Sequence, residues 1–282
     1  MKKNNLIIST LFLLISFGTF AQSDWGYNFE NALKLSKALN KPILVDFMAT
    51  WCGPCKMMDR DVWSKEDIKV LKSNFIPVKI DIDTYSNIAS KYSVRSIPNV
   101  MVLDSYGNKL FSSLGYKSKS EVSKFLTNFS VNLTSINRAM LILDKSKKNV
   151  YSNIRVGQKF QDASIFLKGK VHKSFLRISS GYLKTAEKIK GVKPIVLQKI
   201  KLLELLNKAY FHQSKSVLKT IHKKYENVDT SNLALLTYIK LCANNDLKHL
   251  DKTNALLAEL QQTTNNSSYI KKANFILSKN QL

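Results

Sequence analysis

The chain holds only three cysteines in 282 residues, Cys52, Cys55 and Cys242, and that scarcity excludes a fold stapled by several disulfides. Histidine is almost as rare. His172, His212, His222 and His249 are scattered through the second half, and no second CxxC exists, so the thiol pair lacks the further ligands that zinc would need. Haem attachment is excluded too, because Lys56 stands where a histidine would have to follow the second cysteine. After residue 21 no stretch approaches about twenty uninterrupted apolar residues, the length that crosses a bilayer, so the mature protein reads as soluble. Acidic residues are also few: 20 Asp plus Glu face 44 Lys plus Arg, a net charge of +24.

What is present begins with a leader. Lys2 and Lys3 precede an apolar segment, Leu6 to Phe17, which ends in Gly18-Thr19-Phe20-Ala21. A charged start, a short apolar stretch and small residues before a cut after Ala21 read as a secretory signal peptide, with an uncleaved anchor as the other reading. Residues 1–21 would be removed and the protein delivered to the periplasm or secreted. No cysteine follows the cut, so a lipid-modified N-terminus is not indicated.

The positive charge is uneven. Residues 22–130 carry 15 Lys plus Arg against 11 Asp plus Glu, whereas residues 131–282 carry 27 against 9. Export argues against nucleic acid as the partner, as does the absence of dense basic runs with interleaved aromatics. Lysines scattered at helix-surface spacing read either as a solvated basic face or as a source of weak attraction to an anionic membrane or acidic proteins.

Apolar periodicity divides the chain in two. A helix over 28–39, a buried strand over 43–49, a helix over 53–74, a strand over 76–82, a short helix over 84–92, strands over 99–103 and 109–114 around a turn at 104–108, and a helix over 118–129 describe an α/β domain with a mixed sheet, assigned to 22–130. Beyond 131, glycine and proline thin out and strand signals stop. Helices are expected at 132–146, 149–168, 171–190, 195–211, 214–226, 230–243, 247–262 and 267–279, forming an all-helical domain over 131–282. Pairs of thirty-odd residues are compatible with tetratricopeptide-like hairpins or with an irregular bundle.

The chemistry is concentrated in Trp51-Cys52-Gly53-Pro54-Cys55-Lys56. If a strand ends at Ala49 and a helix opens at Gly53, Cys52 sits at a helix N-terminus, where free N–H groups favour a thiolate. Cys55 is then placed to attack a mixed disulfide formed by Cys52. Asp46 lies on the buried strand, where a carboxylate is costly unless its proton state is used; it is a candidate base, or else the partner of a salt bridge to Lys79. Trp51 reads as an exposed apolar platform for substrate, or as a partly buried core aromatic. The bond before Pro98 can be cis, which would present the Ile97 backbone to an extended chain. Cys242, between Leu241 and Ala243, reads as a buried apolar residue.

WCGPCK and its surroundings resemble the thioredoxin family over roughly 28–130. Asp46 matches that family's buried proton acceptor, Lys79 the lysine beside it, Ile97-Pro98 the cis-proline loop and Gly115 the glycine that completes the substrate groove. The resemblance implies a thioredoxin fold followed by the helical domain, a Cys52–Cys55 redox disulfide in place of any other cofactor, no metal, and a substrate surface formed by Trp51, Gly53, Pro54, Ile97, Pro98 and Gly115. Arg60 stands where cytosolic members have a helix-kinking proline, and the continuation to Ser64 is more similar to the exported branch that includes the C-terminal domain of thiol:disulfide interchange proteins. The Gly53-Pro54 pair resembles reducing members. The expectation is a protein-disulfide reductase acting on exported, cysteine-containing substrates and recharged by a membrane reductant transporter. The alternatives are an isomerase or oxidase, or a client-binding scaffold with a thioredoxin docking module.

Overall fold

The structure is a computed structural model and describes residues 25–129, 132–263 and 267–279; the expected leader, 1–21, lies outside them. Helix α1 (Phe29–Leu39) begins at Asn28, whose side chain accepts from the Asn31 N–H at 2.9 Å, and ends at Asn40 in the left-handed region, φ 54°. The strand β1 (Ile43–Met48) follows, then α2 (Gly53–Met58), a π-helical turn (Asp59–Trp63) and α3 (Glu66–Lys72). The single helix expected over 53–74 is therefore broken. The Ser64 N–H reaches back five residues to Asp59 O at 3.1 Å, and Lys65 is extended, so the chain turns before α3. The wider turn buries Val62 and Trp63 side by side against the sheet.

Strand β2 (Ile76–Asp81), helix α4 (Ser86–Lys91), strands β3 (Asn99–Leu103) and β4 (Lys109–Leu114), and helix α5 (Lys119–Asn128) complete the α/β unit. The sheet order is β2-β1-β3-β4, with β1 and β2 parallel and β3 antiparallel to both β1 and β4. The β3–β4 turn is held by Asp104, whose carboxylate accepts from Tyr106 and Asn108, and it needs Gly107 at φ 77°. Ser118 and Glu121 form a reciprocal cap on α5.

Alternation along the strands separates two cores. Ile43, Val45, Phe47, Val78, Ile80, Met101 and Leu103 face α1 and Tyr92. Leu44, Val100 and Val102 face the other way, and their core continues without interruption through Phe129, just after α5, into the helical half.

That half contains α6 (Thr134–Lys145), α7 (Val150–Ser164), α8 (Gly169–Glu187), α9 (Pro194–Tyr210), α10 (Ser214–Lys224), α11 (Thr230–Asp246), α12 (Leu250–Thr263) and α13 (Ser267–Lys279). Successive helices pack against one another, and α11 also packs against both α9 and α13, which is the pattern of stacked hairpins. The stack folds back on itself: Lys272 of α13 pairs with Asp162 of α7 at 2.5 Å, and the rings of Phe275 and Phe166 lie 4.5 Å apart. Helix α7 passes so close to α8 that a methyl group added at Gly157 would stand 3.0 Å from Leu183. The two halves are joined by more than the chain. Phe129 meets Phe175 of α8, Ser174 donates to Leu110 O on β4, and Asn137 Nδ2 donates to Asn40 Oδ1 at 3.1 Å.

Candidate active site

The strand β1 ends at Met48, and Cys52 becomes the N-cap of α2, its Sγ accepting from the Cys55 N–H at 3.2 Å. The two cysteines form a disulfide with Cα atoms 5.3 Å apart. A sulfur at a helix N-terminus faces unsatisfied N–H groups and the positive end of the macrodipole, so on reduction Cys52 is the thiol better placed to ionise. Pro54 at the first turn costs the helix nothing, since its missing N–H would have had no partner there.

Both cysteines are only 3% exposed and pack with Ala49 against Met48, Ile82 and Ile97. The Ile97-Pro98 bond is cis. Pro98 O accepts from the Gly115 N–H at 2.8 Å, and Gly115 holds φ 81°, a conformation that suits glycine. Ile97, Pro98 and Gly115 are thereby gathered at one place, with Ile97 against the disulfide. Gly53 and Pro54 are exposed beside them. Trp51 is 67% exposed, and its indole Nε1 donates to Asp83 Oδ2 at 2.8 Å, so the ring is tethered as an outward apolar plate.

Asp46 and Lys79 are register partners on β1 and β2 and share the sheet face that looks toward α2 and the π-helical turn. Burial pushes the Asp46 carboxyl up from 3.8 to about 6, against the pull of Lys79 and with a further push from Asp59. Lys79 Nζ lies 3.8 Å from Asp46 Oδ2 but forms its direct ion pair with Asp59. Lys79 therefore neutralises Asp59 first and Asp46 at longer range, so the buried acid keeps a raised pKa. A plain Asp46–Lys79 salt bridge would have lowered it. Among the described residues neither Asp46 Oδ1 nor Trp63 Nε1, both buried, forms a hydrogen bond, yet the indole favours the charged carboxylate. Trp25 closes the chamber, 5.1 Å from Trp63 between ring centroids and 5.5 Å from Lys79 Nζ.

Asp59, Trp63, Trp25 and Asp83 escaped the reading from residues alone. The first two had a signal: Cys55, Asp59 and Trp63 recur every four residues, one face of a helix. The Asp59 N–H indeed donates to Cys55 O. Trp25 and Asp83 come from loops and had none. Cys242 is buried as expected, its thiol pushed up to about 12 by burial beside Tyr238, far from the ionised form. Among the described residues no group of His, Cys, Asp or Glu could hold a metal ion, and no helix is long and apolar enough to cross a membrane.

A family model described as Thioredoxin matches residues 23–128. The thioredoxin of Rickettsia felis is 40% identical over 81 residues, 29% of this chain and 74% of that protein. The thioredoxin of Mycoplasmoides gallisepticum is 36% identical over 87 residues, 31% of this chain and 83% of that protein. Among solved structures, a thioredoxin from Nicotiana alata is 35% identical and covers 36% of this chain and 83% of that one, with a TM-score of 0.30. The family segment stops before α6, so helices α6 to α13 lie outside it.

Proposed function

The chain belongs to the thioredoxin family, and from that premise we propose that it is an exported protein-disulfide reductase. The observation that carries the reading is the Cys52–Cys55 pair at the start of α2, together with the buried Asp46 carboxyl on the sheet face toward that helix, pushed up to about 6 by burial. Export rests on the leader pattern of residues 1–21.

In the reducing direction, the Cys52 thiolate attacks one sulfur of a substrate disulfide. A new bond forms between Cys52 Sγ and that sulfur, the substrate S–S bond breaks, and the departing thiolate takes up a proton. Cys55 then gives its proton toward Asp46 and attacks Cys52 Sγ. The mixed disulfide breaks, the substrate leaves with both sulfurs reduced, and the protein is left in the oxidised state seen here. Two electrons from a dithiol donor, which we place in a membrane reductant transporter, restore the pair. Trp51, Ile97, Pro98 and Gly115 would border the substrate, and Gly53-Pro54 would let its backbone approach.

Replacing Cys55 by Ser removes the resolving thiol, so mixed disulfides with exported proteins should accumulate through Cys52. Their absence in cells would overturn substrate exchange. Replacing Asp46 by Asn should slow resolution while leaving the first attack intact, and the wild-type resolution rate should rise as pH passes about 6. The oxidation state of the pair in cells sets the direction: a pair found mostly oxidised at steady state, with no donor able to reduce it, would point to oxidation instead, since isomerisation also needs the free Cys52 thiolate.

A further inference from the structure

Beside the cis-proline loop, along the outer edge of the sheet, the two halves of the molecule leave a basic groove. Two adjoining hollows of 420 and 500 Å³ share Phe111 and Lys170. One end lies at Ser113 and Lys117, where Ser113 is the register partner of Val100 and Lys117 follows Gly115 by two residues; the other end lies at Lys109. The floor is apolar, made by Phe111 and Phe125 with Val100, Val122 and Val171.

The walls are cationic from both sides. Lys109, Lys117 and Lys124 come from the α/β unit, and Lys170, Lys173 and Arg177 come from α8 at spacings of three and four, one face of that helix. Among the described residues Glu121 is the sole acidic residue of the lining, and its carboxylate already caps Ser118 and pairs with Lys117 at 3.8 Å. The other five cations form no ion pair among the described residues. Like charges brought together across a concave surface repel, and an anion lying between them would relieve that repulsion.

We propose that the groove holds an acidic, extended segment of the polypeptide whose disulfide is exchanged at Cys52; this rests on the oxidoreductase reading above. β4, which forms one wall, is six residues long, about 20 Å at the rise of a strand, which fits an extended segment of similar length. A concave slot between two domains suits a single chain. A bilayer surface, being flat, could touch only its rim. The helical half would thus select clients by charge, through Lys170, Lys173 and Arg177, while the cysteine pair supplies the chemistry.

The test uses the full-length reduced protein and two disulfide-bonded peptides that differ in one flank, a run of Glu and Asp against a run of Ser. At low salt kcat/KM should favour the acidic peptide by about tenfold, the sum of a few screened ion pairs, and the preference should collapse at high salt. The variant Lys170→Glu/Lys173→Glu/Arg177→Glu alters only exposed positions. It should lose the preference and keep the wild-type rate on the Ser-flanked peptide. Equal rates for the two peptides, or a preference that survives in the variant, would overturn the proposal. So would a variant that loses co-sedimentation with phosphatidylglycerol vesicles but keeps its peptide preference. Failure of both peptides to be reduced would sink the oxidoreductase reading instead, and anisotropy with a cysteine-free acidic peptide would still decide whether the groove binds.

Discussion

The two faces of the central sheet are built from the same four strands but completed by different parts of the chain. On one face Val45, Phe47, Val78, Ile80 and Met101 pack against Phe29, Ala32 and Tyr92, all within the α/β unit. On the other, Leu44, Val100 and Val102 share one core with Val122 and Leu126 of α5 and with Phe129 just after it, then with Ile136, Phe160 and Phe175 of the helical half. A change of texture near residue 131 marks where the chain switches from mixed to all-helical structure. It does not mark where one hydrophobic core stops. The buried acid Asp46 belongs to the shared face, since it alternates with Val45 and Phe47 and lies on the side of Leu44.

The strongest way to break this contrast is to remove the helical half. A chain ending at residue 129 would expose the apolar surface now covered by buried residues from Leu133 to Phe175, among them Ile136, Met140, Val156 and Phe160. At about 1.5–3 kcal/mol for each large side chain returned to water, even a few of them match the whole stability of an ordinary domain, about 5–15 kcal/mol. The fragment should show no cooperative thermal transition and should bind a hydrophobic dye. A sharp transition near that of the full chain would mean that the second face closes on its own.

A single side chain sharpens the same point. Phe175 is fully buried and touches both Phe129 and Phe160, so Phe175→Ala should cost about 3–5 kcal/mol. Trp25, Trp51 and Trp63 all lie in the α/β unit, whereas far-UV dichroism reports mostly the helices, so urea unfolding can be followed on each half separately. Coincident shifts of both signals are expected. A shift in dichroism alone would separate the halves.

Asp46 gives an effect of about the same size and opposite sign. Its carboxyl sits near 6 in the folded chain against an ordinary 3.8, so the folded state holds the proton more tightly and stability falls as pH rises from about 3.8 through about 6. Above that window, keeping the buried carboxylate charged costs on the order of 3 kcal/mol relative to a carboxylate in water. Asp46→Asn should therefore stabilise the oxidised protein by that order at pH 8 and change little at pH 4, measured by urea unfolding across pH. Equal stability at pH 8 would show that Lys79 compensates the charge despite its closer bond to Asp59.

Much of this was legible from residue order. Strands announce themselves by alternation, as in Val78, Ile80 and Ile82, and the helices beyond 131 by three-four spacing and short polar breaks, because each pattern reports the face an element must bury. The redox pair was legible because its spacing and its place after a buried run are local. What stayed hidden depends on neighbours distant in the chain. Nothing local says that the helix after Cys55 breaks into a π-helical turn at Asp59, that Lys79 prefers Asp59 to Asp46, or that Phe175 shares a core with Leu44. The basic groove was hidden for the same reason. Its lysines look like ordinary surface charges until α8 is laid beside β4.

The smallest effect probes the seam itself. Asn137 of α6 is 8% exposed and donates through Nδ2 to Asn40 Oδ1 at the end of α1, across 97 residues of sequence, while its own buried Oδ1 has no partner among the described residues. A simple Asn137→Ala change would remove that orphaned oxygen together with the bond, so its net cost understates the contact. Asn40 raises a second difficulty, since its φ of 54° makes alanine there strained for reasons unrelated to the bond. Asn40→Gly keeps the left-handed conformation while deleting the side chain. A double-mutant cycle of Asn40→Gly with Asn137→Ala cancels both side effects and should leave a coupling of about 0.5–1.5 kcal/mol, the net worth of one such hydrogen bond. A coupling of zero would confine the join between the halves to the apolar core around Phe129 and Phe175, and the polar contacts along the seam would then follow the docking without contributing to it.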